Sequence, residues 1–321
     1  MIKRRTLALA GLPFMMRPAQ AQAWPTRPIR LVVPWPPGQA TDQVGRLMAQ
    51  RLSERLGQPI VPENRPGAGG SIGTDMVAKA APDGYTLLAA SIGPISLGPL
   101  IHRTPYDVSR DLAPVARFSG SPYILVARAD FPPVDARALI ALLRANPGKF
   151  NFASAGIGSG VHLAGEIFRG ISTAQFEMVH YRGGGPGVAA LVSGEAQFGT
   201  PTMASSLGQI RGGAIRALAV ASSQRSPALP DVPSATEAGI PGFIFEEFFP
   251  VLAPAGTPPA VVAALGAAFR TAIQQSAPRL NELAGVVPRP GYDTPDQVMN
   301  VVREGVKTYT DVLRAAGVKP E

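Results

Sequence analysis

The 321 residues predict an α/β protein of two lobes with mostly parallel sheets and a cleft between the lobes. Three observations carry this. Short β-rich runs alternate with helical ones along the chain, an order that lays helices on the faces of parallel sheets. The length exceeds what one hydrophobic core usually serves, so two domains are the default. Finally, 34 prolines and 35 glycines are too many for element interiors, so they must sit at element ends and in loops.

In chain order, strands are expected over 29–33, 60–62, 86–90, 123–127, 150–153, 177–181 and 215–221. The first clear helix follows Thr41. Val44, Leu47, Met48, Leu52 and Leu56 fall at helical spacing with Arg46, Gln50 and Glu54 between them, so one face packs and the other is wet. Gly57 and Pro59 end it. Further helices are expected over 74–80, 134–145, 161–169, 186–192, 259–275 and 295–315. Four glycine and proline clusters each follow a strand and precede a helix: 34–38 (Pro-Trp-Pro-Pro-Gly), 65–70 (Arg-Pro-Gly-Ala-Gly-Gly), 156–160 (Gly-Ile-Gly-Ser-Gly) and 183–187 (Gly-Gly-Gly-Pro-Gly). In open α/β sheets that is the carboxyl end of the strands, where ligands bind.

The amino terminus has the order of a cleavable export signal: Lys3-Arg4-Arg5, an apolar run from Leu7 to Met16, then Ala21-Gln22-Ala23. Cleavage is expected after Ala23, by the secretory route in preference to the twin-arginine one, and the run is too short to span a bilayer. The mature chain is expected to be soluble and periplasmic. Its net charge falls from +8 to +4, because Lys3, Arg4, Arg5 and Arg17 leave with the signal and no acid does. The remaining basic residues form no stripe with interleaved aromatics, which argues against nucleic-acid binding. The absence of cysteine excludes a lipid anchor, disulfides and thiol chemistry.

Three loops hold candidate chemistry. In the first, prolines stiffen 34–37, Gly38 allows close approach of a ligand, and Thr41-Asp42 opens a helix whose free N–H groups suit a carboxylate. The alternative is a rigid turn with Thr41 or Asp42 as a plain N-cap. The second loop, Ser154 to His162, has the same design with two hydroxyls added. Ser159 and His162 invite a nucleophile-and-base reading, but the flanking residues are not the G-x-S-x-G elbow. The third, Tyr181 to Pro186, offers a tyrosine and Arg182 to close over an anion, or is simply a connector.

Sharper signatures fail on spacing. Gly67-Ala68-Gly69 is followed by Ile72 where the dinucleotide fingerprint needs glycine, and no phosphate-binding P-loop exists. His102, His162 and His180 make no metal-ligand spacing, and His162 with Glu166 lacks a third ligand. Glu246 and Glu247 are adjacent on an expected strand and point apart, so they cannot flank one bond. No cofactor and no metal is expected.

The stretch Trp24-Pro25-Thr26-Arg27-Pro28-Ile29-Arg30-Leu31-Val32-Val33-Pro34-Trp35-Pro36-Pro37-Gly38, followed by Ala40-Thr41-Asp42, resembles the opening of mature receptors of the tripartite tricarboxylate transporter family, the Bug-type binding proteins. The likeness continues through Pro62 to Gly70, Ala80 to Leu87, Pro105-Tyr106-Asp107, His162 to Glu166, Arg216 to Val220 and Leu252 to Pro258. The resemblance implies a two-lobed type II periplasmic binding protein fold, with lobe 1 over 24–122, lobe 2 over 123–246 and a return to lobe 1 over 247–321 after the signal at 1–23. It implies a non-enzymatic, monomeric receptor that captures a small organic anion, a carboxylate, and delivers it to membrane transporter subunits. The site it implies comprises Pro36, Pro37, Gly38, Ala40, Thr41 and Asp42 of lobe 1, and Ser154, Gly156, Gly158, Ser159, Gly160, His162, Tyr181 and Gly183 of lobe 2. Gln39, Ser91 and Thr202 complete the candidate set.

The sequence also departs from the family pattern. Gln39 stands where a second glycine is common, Pro201-Thr202 where Asp-Asn is common, and Phe248-Phe249-Pro250 where Trp-Tyr-Gly is common. The expectation is a less acidic, more apolar pocket tolerant of a monocarboxylate or an aromatic acid. Two other readings stay open: a ligand sensor feeding a signalling partner, and a serine-type esterase using Ser159 with His162.

Overall fold

The computed structural model describes residues 24–286 and 294–315; the expected export signal lies outside them. Among the described residues ten strands form two five-stranded sheets. Sheet one has the order β2-β1-β3-β10-β4 and sheet two the order β7-β6-β8-β5-β9, so the fold is α/β with two lobes.

In sheet one, β1 (Ile29–Val33), β2 (Ile60–Asn64) and β3 (Thr86–Ala89) are parallel neighbours. Helix α1 (Ala40–Leu56) joins the first two and stops at Gly57, whose φ of 67° suits a residue without Cβ. Helix α2 (Ser71–Ala78) joins β2 to β3. Residues 93–97 then form a π-helical turn that runs into α3 (Gly98–Ile101). Pro94 and Pro99 sit in the first turns of these pieces, where a missing N–H costs nothing. The short α4 (Val108–Asp111) is capped by Asp107, whose carboxylate accepts from Ser109 N and Arg110 N at 2.9 and 3.2 Å.

The 11-residue β4 (Leu112–Pro122) was not expected, because Pro114, Gly120 and Pro122 interrupt it. It is tolerated as the sheet edge, where a ladder donor can be missing. It pairs antiparallel with β10 (Glu246–Pro254), with register shifts between Glu247 and Phe249 and between Val251 and Leu252.

Sheet two holds β5 (Ile124–Arg128), β6 (Asn151–Ser154), β7 (Glu177–His180), β8 (Phe198–Gly199) and β9 (Ile215–Val220). β6 runs parallel to β7 and β8, and β5 antiparallel to β8 and β9. Each sheet is therefore mixed: the strands with helical connections are parallel, and those near the crossings between lobes are antiparallel. Helices α5 (Ala136–Ala145), α6 (Gly160–Ser172), α7 (Gly184–Ser193) and α8 (Met203–Arg211) cover this sheet. Its core interlocks Phe152, Phe168, Phe176 and Phe198, with edge-to-face contacts at 5.0 to 6.2 Å.

The chain passes between the sheets at Tyr123 and again before β10. Tyr123 N donates to Phe245 O, Phe245 N to Ala221 O, and Ala221 N to Tyr123 O, so three segments lie side by side at the crossing. Helix α9 (Pro259–Ala284) packs on α1 and β4. Helix α10 (Pro295–Ala315) packs on β4, the π-helical turn and α6, and so touches elements beside both sheets.

Candidate functional site

β1 and β2 are parallel neighbours, as are β6 and β7, so the loops leaving their carboxyl ends emerge together from each sheet. The two pairs of loops face one another across a cleft of about 590 Å³. Trp35 and Pro36 follow β1, Pro66 to Gly70 follow β2, Ala155 to Ile157 follow β6, and Tyr181 to Gly183 follow β7. All four clusters singled out in the sequence thus reach one place. The rims touch: a Cβ built on Gly69 would stand 3.4 Å from the Ile157 carbonyl oxygen, and one on Gly93 would stand 3.2 Å from the Gly158 oxygen.

In the first loop Trp35 is buried and its indole N–H donates to Ser91 Oγ at 2.7 Å. Ser91 is thereby a support for the cleft wall. Asp42 is buried and saturated: it accepts from Gly38 N, Arg46 Nε and Asn64 Nδ2, each at 2.9 Å. Burial opposes its ionisation most strongly, but the hydrogen bonds from Arg46, Gly38 and Asn64 together hold its carboxyl below the usual value. Asn64 also donates to the Trp35 carbonyl at 2.9 Å, tying this loop to the end of β2. Ala40 and Thr41 are buried at the start of α1, while Pro37 and Gly38 are exposed. Of this loop's candidates only Pro36 lies in the cleft wall.

Gln39 occupies the N-cap of α1 without making a capping bond. Its side chain lies against the other lobe, 3.1 Å from a Cβ built on Gly183 and 3.7 Å from one on Gly184. Its neighbour Gln43 donates to Gly38 O at 2.8 Å and to Ala204 O in α8 at 3.4 Å. Both glutamines therefore touch lobe 2 from lobe 1 beside the cleft.

In the second loop Gly156 lines the cleft with φ of 112°. Ser154 is fully buried, and its Oγ lies 3.0 Å from His180 Nδ1 and accepts from Gly156 N at 3.3 Å. Ser159 caps α6 by accepting from His162 N at 3.1 Å. The His162 ring accepts from Gly158 N through Nδ1 at 3.4 Å, and its Nε2 lies 3.9 Å from Glu166 Oε1. Burial, and then the positive fields of His180, Arg169 and His102, press its pKa down to about 4. Ser159 Oγ is thus engaged with a backbone N–H and not with the imidazole, so the nucleophile-and-base pair of the esterase reading is not assembled. At Gly160 a Cβ would fall 1.9 Å from Tyr123 Oη, so this position admits no side chain.

In the third loop Tyr181 and Gly183 line the cleft. The Tyr181 ring packs with the cluster around α7, and burial, with Glu195 nearby, pushes its phenol up to about 12. Gly183 starts α7 with φ of 120°. Thr202 stands apart as the N-cap of α8, its hydroxyl accepting from Ser205 N at 3.4 Å. Phe248 and Phe249 are buried in the hydrophobic cores. The replacements at 202, 248 and 249 therefore lie outside the cleft wall, whose character is set by other residues.

The wall also contains residues absent from the sequence-derived site: Trp35, Pro66 to Gly70, Ala155, Ile157 and Arg182. Their signal was present in the glycine cluster after β2 and in the arginine of the third loop. Among the described residues the lining holds one cationic side chain, Arg182, and no acidic one, and is otherwise backbone-rich and apolar. That combination suits an anion with an apolar body. Among the described residues no group of three His, Cys, Asp or Glu is placed to hold a metal ion.

Comparison with known proteins agrees with this geometry. The model of the family described as "Tripartite tricarboxylate transporter family receptor" matches residues 44–318. The chain is 39% identical to Protein BugT of Bordetella pertussis over 315 residues, covering 98% of this chain and 95% of that one. MatC from Rhodopseudomonas palustris, solved with bound malate, superposes with a TM-score of 0.85 at 35% identity, over 90% of this chain and 100% of that one. A second R. palustris protein, solved with adipate, gives 0.87 at 32% identity, over 93% and 100%. With two lobes, a backbone-rich cleft at four strand ends, and matches over most of its length, the chain belongs to the tripartite tricarboxylate transporter receptor family.

Proposed function

We propose that the protein is a periplasmic receptor that captures a small carboxylic acid between its lobes and delivers it to the membrane subunits of a tripartite tricarboxylate-type transporter. The observation that carries this reading is the convergence of four strand-to-helix loops on one cleft whose only charged side chain, among the described residues, is a cation. The relatives solved with malate and with adipate support a carboxylate as the cargo. On this reading the export signal covers 1–23, the protein works as a monomer, and the lobes divide at 122/123 and 246/247, beside the crossing formed by Tyr123, Ala221 and Phe245. Trp35, Pro36, Gly69, Gly156, Ile157 and Arg182 meet the ligand, while Ser91, Asp42, Ser154, Ser159 and Thr202 hold the loops that do.

Isothermal titration against citrate, malate, adipate, glutamate and nicotinate tests the reading. Saturable binding of at least one acid at micromolar concentration is expected. Tight binding of a cationic solute with no response to any acid would sink it.

A further inference from the structure

Arg182 differs from the charged side chains of Asp42 and Glu166. Asp42 is consumed by three hydrogen bonds, and Glu166 is held by Arg169 at 2.9 Å. Arg182 is exposed in the cleft wall and makes no hydrogen bond or ion pair with another described residue. Its backbone is nonetheless fixed. Tyr181 N donates to Ser154 O at 2.9 Å, and Gly183 immediately starts α7. The guanidinium therefore rises from a rigid base beside a wall of Trp35, Pro36, Pro66 and Ile157, which offers apolar surface and no partner for it.

A single carboxylate can be held by the free N–H groups of the glycine loops, as at any helix amino terminus. Such a ligand would leave Arg182 unused. From this geometry we propose that Arg182 is a specificity-determining residue that reads a second anionic group on the ligand, separated from the first carboxylate by an apolar spacer. The cargo is then a diacid, and a matched monoacid is discriminated against. The planar fork of the guanidinium pairs with a carboxylate through two parallel hydrogen bonds. This inference rests on the carboxylate-receptor reading above and adds the residue that sets the number of acid groups.

The test is titration of the mature protein and its Arg182→Gln and Arg182→Lys variants with α,ω-dicarboxylates from malonate to suberate and with the straight-chain monocarboxylates of equal length. The expected result is that at least one diacid binds the unaltered protein more tightly than its monoacid. Arg182→Gln should weaken that diacid by roughly tenfold, the order of a charge-assisted hydrogen bond partly exposed to water, and weaken the monoacid by a clearly smaller factor, so that the preference for the diacid shrinks. Arg182→Lys should retain part of the preference. If Arg182→Gln weakens both acids equally, or neither, the inference is overturned while the receptor reading stands. If no acid of either series binds the unaltered protein and the wider panel is also silent, both fail together.

Discussion

His162 and Glu247 are buried titratable residues whose effects on stability run in opposite directions with pH. Burial holds the His162 imidazole neutral with a pKa of about 4, against 6.5 in its ordinary state. An unfolded chain therefore takes up this proton first as pH falls. The contribution is complete above pH 6.5 and is lost progressively down to about pH 4, a total on the order of 3 kcal/mol. Because Glu247 acts oppositely over the same range, the measure is a difference: between pH 7.5 and 4.5 the denaturant midpoint of the unaltered protein should drop relative to that of His162→Gln, and a constant difference would refute the assignment. Glu247 is the reverse case. Burial raises its pKa to about 7 despite hydrogen bonds from Tyr123 Oη at 2.6 Å and Ile92 N at 2.9 Å. Its folded pKa exceeds the ordinary 4.5, so the stability it contributes is full below pH 4.5 and is lost as pH rises through 7. Glu247→Gln should gain stability relative to the unaltered protein between pH 5 and 8.5, and a constant difference over that range would count against the shifted carboxyl. Neither property was legible in the sequence. His162 looked like a helix residue spaced for a metal or a base, and only the packing of α6 against β6, with β7 as the next strand, brings it to His180, with ring centroids 5.3 Å apart. For Glu247, the sequence supported a strand leaving lobe 2, but its burial arises where Tyr123, Ile92 and Gly160 meet from distant parts of the chain.

Among the elements, α1 shows how a local motif acquires a long-range role. Its apolar spacing, its start near Thr41 and its stop at Gly57 are written in neighbouring residues, because helix periodicity and capping are local physics. Its reach across the cleft is not. Gln39 belongs to the candidate ligand-binding set, yet its side chain rests on Gly183 and Gly184 in the opposite lobe. Replacing it with glycine removes a bridge between lobes and leaves the cleft wall intact. Gln39→Gly is therefore expected to weaken every bound acid by a similar factor, on the order of threefold to tenfold, chiefly through faster release. Stopped-flow dissociation with two different acids checks this, and a change in their ranking would restore a direct contact. Strand β4 and the π-helical turn were missed for a common reason. Pro114, Gly120, Pro94 and Pro99 read locally as breakers, and only an edge position and first-turn placements make them compatible with order. Helix α8 likewise carries no strong apolar period and is fixed by its Thr202 cap and its packing on α9 and β9.

At the scale of the whole molecule, the same feature that made the site legible also defines its motion. Glycine and proline clusters at four strand ends announced a cleft because parallel sheets present those loops on one side, but which wall each side chain faces required the two sheets to be set against each other. The lobes are joined at the crossing where Tyr123, Ala221 and Phe245 exchange backbone hydrogen bonds, and the Tyr123 and Phe245 rings stack with centroids 4.8 Å apart. That junction is short and buried, whereas the opposing rims meet through small contacts such as Gly69 with Ile157 and Gln39 with Gly183. Helix α10 buries Val298, Met299, Val302, Tyr309 and Leu313 and reaches both β4 and α6, so it restrains the lobes on another side. Motion should therefore be a hinge about the crossing, with the rims parting, and not a sliding of one sheet past the other. A ligand held by both loop pairs has contacts only when the rims meet, so it shifts the population toward the closed form. Small-angle scattering of the mature protein should give a smaller radius of gyration with a saturating acid than without it. The Gln39→Gly variant should start from a larger unliganded radius and converge on the same liganded value. An unchanged radius accompanied by calorimetrically proven binding would mean that the cleft fills without closing and that the bridging glutamines do not govern capture.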